Sequence, residues 1–161
     1  MLSLHDLDHR LPTIARQIHA IRRAAYKQEA ELLGVAHFPP LERSLEDVLN
    51  SCEAFVGPSQ DSELVGVVST CADDEGRGIN ISSLVVHPAH QRRGFGIALV
   101  RAVVQRYAGT ELTVQIAAAN APALSLYAHL GFREYRRWTV GQEALELVKL
   151  SLSAASVRGA A

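Results

Sequence analysis

The sequence predicts one domain of mixed α/β class, and three observations carry that expectation. A helical apolar period opens the chain, three short apolar runs separated by turn-forming residues follow, and a glycine-bearing cationic turn then leads into alternating helix and strand patterns. With 161 residues, 48% of them hydrophobic, the chain has the size of one ordinary domain that buries a sizeable core. The domain is expected over residues 1–150.

Ile14, Ile18, Ile21 and Ala25 recur at helical spacing, so residues 13–33 are expected to form a long amphipathic helix, with Arg16, Arg22, Arg23 and Lys27 turned away from its apolar face and Gly34 closing it. Phe38-Pro39-Pro40 must leave the helix. Ser44 can cap a short second helix to Asn50, with Asp47 three residues on. Residues 53–57, 63–71 and 79–86 read as three strands of an antiparallel meander, because 58–62 and 73–78 between them have turn composition. A helix over 94–107, a strand over 112–116, a helix over 121–130 closed by Gly131, and strands over 132–140 and 144–150 complete the order. Residues 151–161 lack periodicity and are expected to be a flexible tail.

Composition removes several function classes. A net charge of −1 and a pI near 6.6 give no bulk attraction to nucleic acid or to an anionic membrane. No apolar run reaches about 18 residues, and no basic segment followed by an apolar core opens the chain, so neither a membrane span nor a secretory signal is expected and the cytoplasm is the default compartment. Cys52 and Cys71 are too few for a disulfide framework and are expected to be packed free thiols. His87 and His90 are read as turn residues, since Pro88 between them breaks a shared helical face, and no metal is expected.

The stretch from Val85 to Ala98 joins an apolar strand to a turn, Gln91-Arg92-Arg93-Gly94-Phe95-Gly96, and then to a helix. A helix start carries about four N–H groups without intrahelical partners and a partial positive charge, which suits phosphate oxygens. Gly94 and Gly96 clear side chains from the approach, and Arg92 and Arg93 add permanent charge suited to forked phosphate contacts. Neither nucleotide motif fits. A dinucleotide fingerprint needs a small residue where Leu99 stands and an acidic one near Ile116, and a Walker loop needs a lysine, whereas Lys27 and Lys149 lie far away. On the residues alone, an ordinary strand-to-helix turn with solvated arginines explains the pattern equally well.

Gln91-Arg92-Arg93-Gly94-Phe95-Gly96 resembles the Q/R-x-x-G-x-G/A signature of the GNAT superfamily of N-acetyltransferases, and Ala123-Leu124-Ser125-Leu126-Tyr127-Ala128-His129-Leu130-Gly131-Phe132 resembles its A-x-x-L-Y-x-x-x-G-F pattern. The likeness extends from Glu63 to Leu150. It implies a central mixed, mostly antiparallel twisted sheet flanked by helices, splayed between the strand ending at Val86 and the strand at Leu112–Ile116. A first strand is usual in this family, and residues 2–11 alternate too weakly to decide whether one is present.

By the same resemblance acetyl-coenzyme A is the co-substrate. Leu84, Val85, Val86, Gln91, Arg92, Arg93, Gly94, Phe95 and Gly96 would surround it from the strand and turn, while Asn120, Ala123 and Tyr127 would meet its pantetheine arm and thiol. Asn120 before Ala121-Pro122 also reads as a helix cap. Tyr127, two turns on, reads on its own as a packed core residue with a polar tip, and in the family as the general acid that protonates the departing thiolate. A phenol of pKa about 10 can assist a thiolate of pKa about 8.5. The amide of Val86 would point at the acetyl carbonyl.

An amine of pKa about 10.4 is only about 0.04% neutral at pH 7, so a base is needed. Many relatives place a glutamate on the strand before the turn, where Asn80-Ile81-Ser82-Ser83-Leu84 has none. Glu29, Glu31, or a water held by Ser82 or Ser83 could substitute, and Tyr26 with Phe38 could line the acceptor site. The expected activity is transfer of an acetyl group from acetyl-CoA to a small-molecule or peptide amine in a ternary complex. A silent acyl-CoA sensor is the alternative, and the oligomeric state stays open, a homodimer included.

Overall fold

The computed structural model describes residues 4–159, which divide into two compact units. The first holds the described residues up to Thr70 together with Ser83–Val100, and the second Cys71–Ser82 with the described residues from Arg101 onward. Hydrogen-bonded strands follow the order β1 (Leu4–Leu7), β2 (Ala54–Gln60), β4 (Gly66–Ala72), β5 (Ile79–Val86), β6 (Leu112–Ala117), β8 (Leu145–Leu152), β7 (Arg133–Val140), with β3 (Glu63–Leu64) beside β2. Strands β4 (Gly66–Ala72) and β5 (Ile79–Val86) each contribute residues to both units.

In the first unit β1 (Leu4–Leu7) pairs antiparallel with β2 (Ala54–Gln60), so the family's opening strand is present as four residues. Helix α1 (Pro12–Leu33) starts on a proline, whose missing N–H would have had no helical partner there, and ends at Gly34, which takes the left-handed conformation (φ 67°) and returns its N–H to the carbonyls of Ala30 and Glu31. Ala15, Ile18, Ile21 and Ala25 pack with Val48, Phe55, Val67 and Val85. Each large apolar side chain buried there stabilises the fold by about 1.5–3 kcal/mol. Arg22 departs from the expected pattern: it lies on the buried face, 4% exposed, because side chains from the sheet supply it with polar partners. Helix α2 (Leu45–Leu49) carries a full capping box, Ser44 accepting from the Asp47 amide while Asp47 accepts from that of Ser44. The expected strand over 63–71 is interrupted at Val65, giving β3 (Glu63–Leu64) and β4, and β2 continues through Pro58 where a turn is expected. Proline lacks an N–H, but its carbonyl accepts from Val65 at 3.0 Å, which keeps the chain paired there. Cys52 is exposed rather than packed.

The second unit is built on β6 (Leu112–Ala117), which pairs parallel with β5 and antiparallel with β8 (Leu145–Leu152), itself antiparallel to β7 (Arg133–Val140). The sheet is therefore mixed and mostly antiparallel. The parallel register covers only Ile79–Ile81 against Leu112–Val114, the short closure expected of strands that splay. Helix α3 (Phe95–Arg106) runs from the first unit into the second, and α4 (Ala121–His129) follows β6. Where a tail is expected, β8 runs to Leu152 and a short helix, α5 (Ala154–Gly159), follows.

A charged cluster lies inside this unit. Lys149 of β8, 5% exposed, donates to Asp73 at 2.8 Å and to Asp74 at 3.1 Å, while Asp73 also accepts from the Thr113 hydroxyl at 2.8 Å and from the amides of Glu75 and Arg77. Burial would raise the Asp73 pKa, but these donors, Lys149 foremost, outweigh it and hold it at about 2. Burial likewise disfavours charged Lys149, and Asp73 and Asp74 reverse that, raising its pKa.

Candidate functional site

In the first unit, strand β5 delivers Leu84, Val85 and Val86 to a one-turn 3-10 helix, Pro88–His90, in which the His87 ring accepts from the Ala89 amide at 3.1 Å. His87 and His90 act as turn residues, and among the described residues no cluster has metal-ligand character. The turn beyond it reverses backbone hand at two positions. Arg92 (φ 63°) and Gly94 (φ 82°) both take positive φ, and such residues set among others of negative φ turn successive N–H groups into one concavity. A Cβ at Gly94 would meet nothing within 4 Å, so the need for glycine is conformational. Helical bonding begins with the Gly94 carbonyl, which accepts from Ala98 at 3.1 Å, so the first-turn N–H groups precede any helical acceptor. Phe95 is buried and anchors the helix start edge-on to His90. Arg92 and Arg93 are exposed and without ion-pair partners among the described residues. These residues fit a pyrophosphate.

The side chain of Gln91 works within the protein. Its Nε2 donates to the Val86 carbonyl at 3.2 Å and to Gln28 Oε1 of α1 at 2.6 Å, fastening the turn to the strand end and to the first helix.

Tyr26 and Phe38 are brought together as an edge-to-face pair with centroids 6.0 Å apart. Burial raises the Tyr26 pKa above its ordinary value, against Arg22 and a hydrogen bond with Ser83 that lower it, so the phenol is neutral. Glu29 stands less than one turn further along α1, half-buried, and its charge also raises the Tyr26 pKa. Ser83 does not offer a free hydroxyl for a water. It accepts from Arg22 at 2.8 Å and lies 2.7 Å from Ser69, which donates to Glu53 at 3.0 Å. Arg22, Glu53, Ser69 and Ser83 are all buried, and sequence reasoning missed Arg22, Glu53 and Ser69 entirely. The contacts among these four lie 14 to 61 residues apart in sequence, beyond the reach of any periodic signal.

In the second unit, Asn120 caps α4, its Oδ1 accepting from the Ala123 amide at 3.2 Å. Tyr127, two turns on, is 3% exposed and packs edge-to-face on Phe132 at 5.1 Å, while its carbonyl accepts from the Phe132 amide. The helix thus fixes both ends of the predicted stripe, with Ala123 between them.

Residues 16–132 match the Acetyltransferase (GNAT) family. The chain belongs to that family. As an acetyltransferase-family member it is also 36% identical over 129 residues to the UPF0157 protein YqkA of Bacillus subtilis; the match covers 80% of this chain and 37% of YqkA, so the chain spans little more than a third of that curated relative. Among solved structures, this family fold superposes on the ribosomal-protein-S18-alanine N-acetyltransferase of Escherichia coli with a TM-score of 0.72 at 19% identity, covering 94% of this chain and 93% of the other. It superposes on YncA of Salmonella typhimurium, an acetyltransferase solved with its cofactor acetyl-CoA, with a TM-score of 0.73 at 19% identity, covering 96% and 94%. Among the described residues, no helix of this GNAT chain is long and apolar enough to cross a membrane.

Proposed function

We propose that this chain is an acetyl-CoA-dependent N-acetyltransferase that passes the acetyl group directly to an amine while both are bound. The observation that carries the reading is the turn after β5, where Arg92 and Gly94 at positive φ, two exposed arginines without ion-pair partners among the described residues, and a helix start follow one another. When bound, acetyl-CoA supplies an activated thioester. The amides at the start of α3, with Arg92 and Arg93, would hold its pyrophosphate. The Asn120 side chain would meet the pantetheine arm. The Val86 N–H would meet the acetyl oxygen as charge gathers there, a role worth about 3 kcal/mol where such donors have been removed.

Tyr127 would donate to the leaving thiolate. Its burial on Phe132 holds the ring in one place, and proton donation needs that fixed position. Glu29, on the same helix as Tyr26, would take the proton from a small-molecule or peptide amine. Two structural neighbours support the donor assignment by analogy: one was solved with acetyl-CoA, and the other carries N-acetyltransferase in its name.

Tyr127→Phe should lower turnover at least about tenfold, with the dissociation constant for acetyl-CoA nearly unchanged. The check is free-thiol release from acetyl-CoA, paired with calorimetric binding. Unchanged turnover across the pH range would remove Tyr127 from the chemistry. Acetyl-CoA binding without transfer to small amines, amino-acid amides or peptide N-termini would assign the chain to the sensor class instead.

A further inference from the structure

Successive residues of a strand turn their N–H and C=O groups to alternate edges. The His87 amide donates to the Val65 carbonyl at 2.9 Å, and the Val85 carbonyl lies against Gly66, 3.2 Å from where a Cβ there would stand. Val86, between them, turns both its N–H and its C=O to the edge of β5 that faces away from β4. The parallel register with β6 ends at Ile81, so no strand among the described residues pairs with Val86 on that edge.

The carbonyl is satisfied by a side chain instead. Gln91 Nε2 donates to the Val86 oxygen at 3.2 Å and to Gln28 Oε1 of α1 at 2.6 Å. A backbone carbonyl only accepts, so the Gln91 amide must present its NH2 group to Val86, and the Gln28 amide must then present its oxygen to Gln91. These two contacts take both hydrogens of the Gln91 NH2 group. The peptide unit between Val86 and His87 is thereby held at both ends, its C=O by Gln91 and its N–H by Val65. That unit is planar, so anchors on its two sides fix the direction in which the chain leaves Val86. Helix α1 is itself seated in the core through Ile18, Ile21 and Ala25, which makes Gln28 a rigid reference for the strand end.

We propose that Gln91 and Gln28 are positioning residues for acetyl transfer, which occupy the Val86 carbonyl and hold the strand end so that the Val86 N–H meets the thioester oxygen at a fixed angle. The inference rests on the N-acetyltransferase reading above. A backbone donor contributes to an oxyanion only when it is already aimed, and a small misplacement costs rate rather than binding. Neither glutamine touches the reacting atoms. Both side chains are exposed, and an exposed neutral hydrogen bond adds little to stability, so replacing one leaves the fold intact and exposes the kinetic role.

The test uses the full chain as wild type, Gln28→Met, Gln28→Glu, Gln91→Met, and Gln28→Met combined with Gln91→Met. Methionine keeps the length of glutamine and removes these hydrogen bonds. Thiol release at saturating acetyl-CoA is followed with benzylamine, spermidine and L-alanine amide; acetyl-CoA affinity is measured by calorimetry and Tm by circular dichroism. Gln28→Met should lower kcat at least about fivefold, while the acetyl-CoA dissociation constant changes by less than about twofold and Tm by less than about 3 °C. Gln28→Glu keeps an acceptor for Gln91 and should recover most of the lost turnover, a rescue that a role in packing alone does not produce. The double variant should be no slower than Gln91→Met, because both substitutions break one clamp. An active wild type whose kcat survives Gln28→Met, a Gln28→Glu variant as slow as Gln28→Met, or a double variant in which the two losses multiply overturns the inference. A wild type that transfers acetyl to none of the amines overturns the N-acetyltransferase reading beneath it.

Discussion

Arg22 and Lys149 are both cations with almost no exposure, 4% and 5%, and each faces a buried carboxylate, Glu53 in the first unit and Asp73 in the second. The two clusters are completed differently. Around Asp73 the remaining donors are the Thr113 hydroxyl and the backbone amides of Glu75 and Arg77, so the cluster closes on itself and ties the loop after β4 to β6 and β8. Around Glu53 the donors are serine hydroxyls, which accept as well as donate, and the chain continues through Ser83 to Tyr26. Backbone amides end a network, whereas hydroxyls, which both donate and accept, extend it. The first cluster closes on itself, and the second reaches Tyr26.

That contrast breaks most sharply at Lys149. Lys149→Met leaves Asp73 buried without its cation, and unfolding free energy in denaturant should fall by about 3–5 kcal/mol. Acetyl transfer per folded molecule should be unchanged, because nothing in this cluster touches the candidate site. A variant as stable as wild type would show that the amides and Thr113 alone suffice for the carboxylate.

A smaller effect comes from acid. The folded pKa of Asp73, about 2, lies below its ordinary value of 3.8, so its ionised form favours the fold fully above about pH 4. That contribution, on the order of 2 kcal/mol, should drain away as pH falls from about 4 through 2. Asp73→Asn should flatten this part of the stability profile; an equally steep loss would place the acid sensitivity in other carboxylates.

The smallest expected effect separates capping from ligand binding in the second unit. Asn120→Ala should cost about 1 kcal/mol of stability through the lost cap on α4. Weaker acetyl-CoA binding in the same variant would add the pantetheine role; unchanged affinity would leave Asn120 a cap alone.

The local geometry of the turn, the helix cap and Tyr127 was legible because the residues that form it are neighbours in sequence. Strand, turn and helix start lie within Ile79–Arg106, and the cap and Tyr127 share one helix, so spacing and turn chemistry carried the reading. Element order was legible for the same local reason, down to the capping box at Ser44 and the left-handed Gly34. What escaped was set by partners distant in the chain. Pro58 reads as a turn residue until β1 and β3 supply its strand with neighbours. Arg22 reads as a solvated helix residue until Ser69 and Ser83, 47 and 61 positions away, meet its guanidinium. The end of the chain after Leu150 shows no periodicity, yet its strand continues because Ser151 and Leu152 pair with Thr113 and Leu112 of β6.

What the folded chain does with acetyl-CoA decides its function. Incubating the purified chain with acetyl-CoA and the amine panel, then following free thiol together with the acetylated amine by mass spectrometry, tests it directly. Stoichiometric appearance of thiol and N-acetylated amine is expected with at least one amine, at a rate well above the protein-free control. Tight acetyl-CoA binding with neither product on any amine would contradict it.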